Sequence, residues 1–481
     1  VLDVETSIDT AAARTVTPEQ VGEARAVVAE LMAARTAEQA RFEKIRRYLR
    51  GKHDSVYVPP KAATEFEWLV ERAKVNLLPL IVDTPAQAMF VDGYRSIEAT
   101  ENMPAWEGWQ ANRMDARQTG LHRAALAYGT AYNLVLPGAP VPVWYPLSPR
   151  ACTTAYEDVT QDEWPVYALI YKALRSHVEV TLVDDRALWR FAGKHPEEGQ
   201  TVALEFQQVE YHDLGVCPVV RYVNRYDLDG EIVGEVEPII PVQDQVNFTT
   251  FGLLMAQQYA AFRQRWVTGM AIPTDPSGNP VEPFNSAVNR LWVGEDPDTK
   301  FGEFGQTALD GYLASRDSSM RSMATMAQFP PHHLMGPMSN ISGEALSAAE
   351  IQQTRMVTER KQLAGESHEQ SFRLHALAAG DTAGWEDTTA QVIWRDVNNV
   401  NLGAVADAWG KIATQLKVPV EMLWEKIPGW TQADVERARA MTEAAAGDSM
   451  TQLIGALNEQ TQALTAQQPA PEVPANGDKP A

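Results

Sequence analysis

The chain has 481 residues, of which 45% are hydrophobic and 22% charged, so it exceeds one average domain, can bury a core, and should divide into two or more subdomains. A formal net charge of −22 excludes a protein that grips nucleic acid by neutralising phosphates, leaving DNA open only as a passenger. Cys152 and Cys217 match no metal spacing and point to buried thiols in a reduced compartment; with no signal peptide and no stretch able to span a bilayer, the protein is expected to be soluble and intracellular when made.

Residues 1–16 are polar and alanine-rich and read as a flexible arm. At Thr17-Pro18-Glu19-Gln20 a capping residue, a proline at the first helical position and a glutamine three past the cap predict a helix to about Leu49. The cations that end it, Lys44, Arg46, Arg47, Arg50 and Lys52, suit a helix C-terminus, and a nucleic-acid or subunit contact remains the other reading. Phe66 to Phe90 is helical but broken at Pro79, with Asn76 to Thr84 expected to join two helices; Val91 to Arg95 reads as a short strand or turn. Helices over 105–115 and 119–128 precede a strand-rich run over 131–136, 143–145, 166–173, 177–183, 188–191, 202–211 and 218–224. Alternation such as Val178-Glu179-Val180-Thr181-Leu182 supports half-buried antiparallel strands, so residues 17–237 form an α+β body.

The period then turns helical over 238–268, with Phe251, Leu254, Met255, Phe262 and Trp266 on one face and Gly269 as the stop. Residues 269–306, dense in proline and glycine, predict a small protruding β lobe with strands at 270–272 and 290–293. A return helix over 307–329 carries Leu309, Tyr312, Leu313, Met320, Met323 and Ala327 on one face. Pro330, Pro331, Gly336 and Pro337 should keep 330–342 out of regular structure, exposing His332, His333, Met335, Met338, Ser339 and Asn340. An ordinary helix connection packed on the chain's own core is the alternative.

Nothing stops a helix from Gly343 to about Ala379, a rod of about 55 Å. Its apolar stripe is thin, interrupted by Gln353, Arg360, Ser367 and Ser371, so it is expected to pack sideways on other helices, copies of itself included. A strand at 390–394 lies within 381–400, helical stretches fill 401–447, and 448–481 is a tail whose low-complexity end, 469–481, is expected to be disordered.

Catalytic signatures are missing from the sequence. No Gly-x-x-x-x-Gly-Lys-[Ser/Thr] loop and no Gly-x-Ser-x-Gly elbow occur. His368-Glu369 begins a zinc-hydrolase pattern, but Phe372 stands at the fifth position, so a solvated helix face is expected there. His332-His333 have no Cys, Asp or Glu beside them in sequence, and Glu295-Asp296-Pro297-Asp298 lacks calcium-loop spacing. No metal or cofactor is expected.

Two phrases resemble one family. Asn76-Leu77-Leu78-Pro79-Leu80-Ile81-Val82-Asp83-Thr84 continuing into Val91-Asp92-Gly93-Tyr94-Arg95, and Phe329-Pro330-Pro331-His332-His333-Leu334-Met335-Gly336 continuing into Ile341-Ser342-Gly343-Glu344-Ala345-Leu346, are similar to the portal, or head-to-tail connector, proteins of tailed phages, siphophage type as in phages of actinobacteria. The resemblance covers roughly 17–446. It implies a wing (17–237), a first stem helix (238–268), a clip (269–306), a second stem helix (307–329), a tunnel loop (330–342), a long helix (343–380), a wing return strand (381–400) and crown helices (401–447).

It further implies a ring, usually of twelve subunits, at one capsid vertex of the virion, assembled in the host cytoplasm. Double-stranded DNA passes through it without specific binding. Terminase, a head–tail adaptor, the major capsid protein and the scaffolding protein are the implied partners, and no membrane is involved. Terminase supplies ATP hydrolysis, in keeping with the missing phosphate loop. The DNA-channel residues would be His332, His333, Met335, Met338, Ser339 and Asn340, and the clip's docking residues Glu295, Asp296 and Asp298. Twelve copies at −22 each carry −264, which discourages phosphates from sticking, within a screening distance of about 8 Å. The rival readings are a polymer-acting enzyme, which needs a convergent carboxylate cluster, and a monomeric scaffold protein, separable by mass.

Overall fold

The computed structural model describes residues 16–58, 63–96, 102–195, 202–261, 265–269, 274–279, 297–303, 308–336, 343–395, 402–424, 427, 430, 434–442 and 444. The predicted strands at 270–272 and 290–293, the residues Glu295, Asp296, Met338, Ser339 and Asn340, and the tail lie outside them. The chain divides into two compact units, 1–89 with 108–386, and 90–107 with 387–481.

In the first unit, α1 (Pro18–Leu49) starts as its sequence dictates: the Thr17 hydroxyl accepts from the Gln20 amide, and the Gln20 side chain accepts from the Thr17 amide. Helices α2 (Ala63–Ala73) and α3 (Leu78–Ala88) follow. The joint between them is 74–77. Pro79 sits in the first turn of α3, where a missing N–H costs nothing, so Leu78 to Thr84 is helical and not the linker the sequence suggested. After α4 (Ala105–Ala111), α5 (Met114–Tyr128) ends at Gly129, whose left-handed φ of 93° a side chain would strain.

Two antiparallel sheets make the body. One orders β3 (Val143–Leu147), β2 (Thr130–Leu136) and β9 (Val219–Val223); the other orders β4 (Cys152–Ala155), β5 (Tyr167–Ala173), β6 (Val178–Val183), β7 (Ala187–Gly193) and β8 (Leu204–Tyr211). Strand β4 is an addition to the predicted set. The alternation seen in β6 puts Val178, Val180 and Leu182 against Ala24, Val28 and Leu31 of α1. The other face of this sheet, with Ala168, Val183 and Leu188, packs on Tyr132, Leu134, Leu136 and Val219 of the smaller sheet, with Cys152 and Cys217 as buried thiols between. Strand β2 is buried along its whole length because its remaining face is covered by α5 and by the long helix α9 (Gly343–Ala379).

Between the body and α9 run α6 (Ile240–Ala261), a hairpin of β10 (Arg265–Thr268) and β11 (Lys300–Glu303), α7 (Asp310–Met326) and α8 (Pro331–Met335). Here the expectations need correcting twice. The helix predicted to run through 268 gives way to strand β10, because Arg265-Trp266-Val267-Thr268 suits a strand and finds one at 300–303; Gly302 leaves room for the Trp266 indole. The segment predicted to lack regular structure contains α8, with Pro331 at its first position, where proline is tolerated, and Gly336 closing it at φ 83°. Leu334 is buried beneath this turn. Helix α9 closes at Gly380 (φ 78°), with the Asp381 amide donating to Ala376 O at 2.8 Å; α10 (Thr382–Glu386) follows.

In the second unit, β1 (Val91–Arg95) pairs antiparallel with β12 (Gln391–Trp394). Arg395 donates to Asp92 at 2.7 Å while its guanidinium lies 4.2 Å over the Phe90 ring. Asn102 accepts from the Tyr94 amide and donates to Glu436. Helices α11 (Leu402–Gln415) and α12 (Val420–Trp424) follow, and 434–442 is helical. No helix among the described residues is long and apolar enough to cross a membrane.

Candidate functional site

Three features set where the α6–α9 segment projects: a clasp at the base of α6, a polar face on α9, and the short helix α8.

The clasp explains the Asn76-Leu77 phrase. Residues 74–77 have no regular structure, so their backbone groups need side-chain partners. Gln243 and Asn247, one turn apart on α6, supply them: Gln243 donates to Val75 O at 2.6 Å and accepts from the Leu77 amide, and Asn247 accepts from the Val75 amide at 3.1 Å. The Asn247 amide donates to His53 Nδ1 at 2.9 Å, which leaves the His53 proton on Nε2, facing Tyr48 O and Asn76 Oδ1. Tyr48 in turn donates to Asp244 at 2.9 Å. Burial raises both groups of that last bond: the Tyr48 phenol is pushed well up, with Asp244 adding to it, and the Asp244 carboxyl rises although the Tyr48 bond opposes this. Of the cations ending α1, Arg46 pairs with Glu43 and Arg47 with Asp54.

The polar face of α9 overturns two expectations. His368, read as solvated, is fully buried, and so is Ser371; Arg360 and Ser367, read as interruptions of a thin stripe, are buried too. They extend the stripe, because each has a partner in the body. Arg360 donates through Nε and Nη2 to one Glu235 oxygen at 3.2 and 3.0 Å, Asn224 donates to that same oxygen at 3.0 Å, and Arg225 donates to the other at 2.8 Å.

Farther along α9, the protons in a chain of bonds can be assigned from one end. Met89 O accepts from His122 Nδ1 at 3.1 Å, so His122 Nε2 must accept from His368 Nε2–H at 2.8 Å, and His368 Nδ1 accepts from the Tyr222 hydroxyl at 2.9 Å. Asn133 donates to Ser371, which lies 3.0 Å from Tyr222. This assignment holds with both imidazoles neutral, the form that burial favours. Burial lowers His122 to about 4 against the weaker pull of Met89 O, and lowers His368 well below its ordinary value with help from His122. One turn on, His375 accepts at Nδ1 from Trp144 Nε1 at 2.9 Å, and burial lowers it to about 4. Gly108 is required beside it, since a Cβ there would overlap the imidazole. The rings of Trp109, Trp144 and Phe372 close the cluster at 5.2–5.7 Å between centroids.

Among the predicted channel residues, His332 and Met335 are half-buried and His333 is exposed. The two imidazoles meet edge-on at 4.4 Å, and Phe329 packs on His333 at 5.1 Å. Glu350, on α9, joins them: ligand atoms of His332, His333 and Glu350 all lie within 4.8 Å of one another. The carboxylate that the sequence lacks beside the histidines is thus supplied from α9. Burial and His332 lower the pKa of His333, with Glu350 opposing. Of the predicted docking residues, Asp298 is exposed, just before β11 and against Gly269 (φ 81°).

Sequence reasoning missed the buried network, although its signal was there. Arg360, Ala364, Ser367, Ser371 and His375 follow one another at three- and four-residue steps, the spacing of a single helix face.

The profile of the family described as "Phage portal protein, SPP1 Gp6-like" matches residues 29–448. No curated protein matches the sequence. Among solved structures, the chain is similar to one from the neck of an empty gene transfer agent particle computed with C6 symmetry, at 11% identity and TM-score 0.42, covering 77% of this chain and 93% of that one. It is similar at 12% identity and TM-score 0.42 to a chain from the virion of a native gene transfer agent particle, covering 78% and 96%. A chain from the neck of a native particle computed with C12 symmetry gives 11% identity and TM-score 0.39, covering 78% and 94%.

Proposed function

The chain belongs to the SPP1 Gp6-like phage portal protein family, and we propose that copies of it close into a ring, of twelve subunits, at one capsid vertex, through which DNA is packaged and ejected. The observation that carries this reading is the family match over residues 29–448 of 481. Supporting it, α6, α7 and α9 carry large apolar side chains that one chain leaves open, among them Phe248 (63% exposed), Met326 (47%) and Ile351 (49%). Neighbouring copies would cover them.

In this reading α6 and α7 are the stem, the lobe around β10 and β11 is the clip that docks terminase and then the head–tail adaptor, and 330–342 meets the DNA. The protein acts as a conduit, with ATP hydrolysis supplied by terminase. Contacts to DNA stay weak because the net charge of −22 per chain opposes phosphate binding.

Negative-stain images of the purified protein test the proposal. The expected result is rings with an axial hole; a monomer at micromolar concentration across all salt conditions would overturn it.

A further inference from the structure

The cluster at the junction of α8 and α9 has a chemistry that a passive channel lining does not require. Two imidazoles and one carboxylate with their ligand atoms within 4.8 Å form a donor set of the kind that holds zinc with one position left for water. Among the described residues, no other trio of His, Cys, Asp and Glu brings its ligand atoms this close. We propose that His332, His333 and Glu350 bind a divalent transition cation of the zinc class and that the bound ion ties α8 to α9.

Geometry favours the assignment. Zinc–nitrogen bonds of about 2.0–2.1 Å place tetrahedral ligand atoms about 3.3 Å apart, so the present spread closes by rotamer adjustments of roughly 1.5 Å or less. His333 and Glu350 are exposed and His332 half-buried, so these side chains are not locked by packing. Imidazole donors select against magnesium and calcium, which prefer all-oxygen sites. The histidine pair inside the body cannot compete: His122 and His368 spend both ring nitrogens on each other, Met89 O and Tyr222.

A bound ion would hold the His332–His333 end of α8 against Glu350 of α9. The site itself needs only one chain; its consequence, a stiffened channel constriction, rests on the portal reading given above.

The test uses tag-free full-length protein stripped with a chelator, titrated calorimetrically with Zn²⁺ and, separately, with Mg²⁺. One Zn²⁺ per chain and no Mg²⁺ response are expected. Loss of an outer-shell partner alone typically weakens metal sites 10–100-fold, so His333→Ala and Glu350→Gln should each weaken Zn²⁺ binding by about a hundredfold or more. His177→Ala, at an imidazole facing Ser176 and Glu179, should leave it unchanged. Absence of saturable Zn²⁺ binding, or unchanged stoichiometry and affinity in the first two variants, overturns the site. Circular dichroism of each variant confirms folding, and ring images taken in parallel separate failure of this site from failure of the portal reading.

Discussion

Replacing His375 by Asn should remove a defined part of the acid sensitivity of the fold. His375 is 4% exposed, accepts from Trp144 at Nδ1, and has its pKa lowered by burial to about 4 from an ordinary 6.5. Because the folded value lies below the unfolded one, the neutral ring stabilises the fold fully above pH 6.5, and that stability drains as pH falls toward about 4. With these two values, a single site loses about 2 kcal/mol between pH 8 and about pH 5, and about 3 kcal/mol once both states are protonated. An asparagine can offer Oδ1 to the Trp144 indole in place of Nδ1 but does not titrate. Trp109 and Trp144 are wholly buried in this cluster and, with the other tryptophans of the thirteen in the chain, make intrinsic fluorescence a probe of denaturant unfolding. The gap in stability between wild type and the variant at pH 8 should therefore narrow by about 2 kcal/mol at about pH 5. Parallel pH profiles for the two proteins would refute the claim that His375 is held neutral by burial.

Further outcomes follow from the other parts of the structure. Arg360→Met alone should destabilise by about 3–5 kcal/mol, since Glu235 is left buried with one arginine fewer, whereas adding Glu235→Gln should restore much of the loss; strictly additive single changes in denaturant unfolding would count against a direct pair. Ser339→Lys with Asn340→Lys should leave rings intact but slow DNA packaging in a salt-sensitive way, because about 24 added cations around a ring of twelve can each hold a phosphate; normal filling at low salt would remove this loop from the DNA path. Charge reversal at Glu295, Asp296 and Asp298 should preserve rings while weakening terminase docking and tail joining, and unchanged packaging would take those residues out of the interface.

The backbone was more legible in the sequence than the interior was. Capping at Thr17, the stop at Gly380 and the alternation in Val178 to Val183 are local signals, and the elements they mark stand where the sequence puts them. The misreadings concern positions whose meaning depends on a distant partner. Trp266 fits a helical period as well as a strand, and residues 300–303, more than thirty positions on, decide between them. Pro331 breaks a helix from within but starts one at its first position, and only the backbone distinguishes the two. His368 looks solvated beside Glu369 until α5 and β9 bring His122 and Tyr222 to it.

The same distant partners give α9 a property that an apolar stripe would lack. Alanine, leucine and methionine at one helix face tolerate a slide by a turn of about 5.4 Å, because one apolar neighbour replaces another. Arg360, Ser367, His368 and Ser371 do not. A slide would leave Glu235 and His122 facing apolar groups, and an unpaired buried charge or polar group costs several kcal/mol. The stretch 356–376 is therefore fixed in one register against the body, while 350–355, which is mostly exposed, extends beyond it toward α8. The clasp does the same for α6, where Gln243 and Asn247 fit the backbone of 75–77 at only one setting. In the proposed ring a DNA constriction would need the same radius in every subunit, and two helices bolted by polar partners at their bases would supply that within each chain.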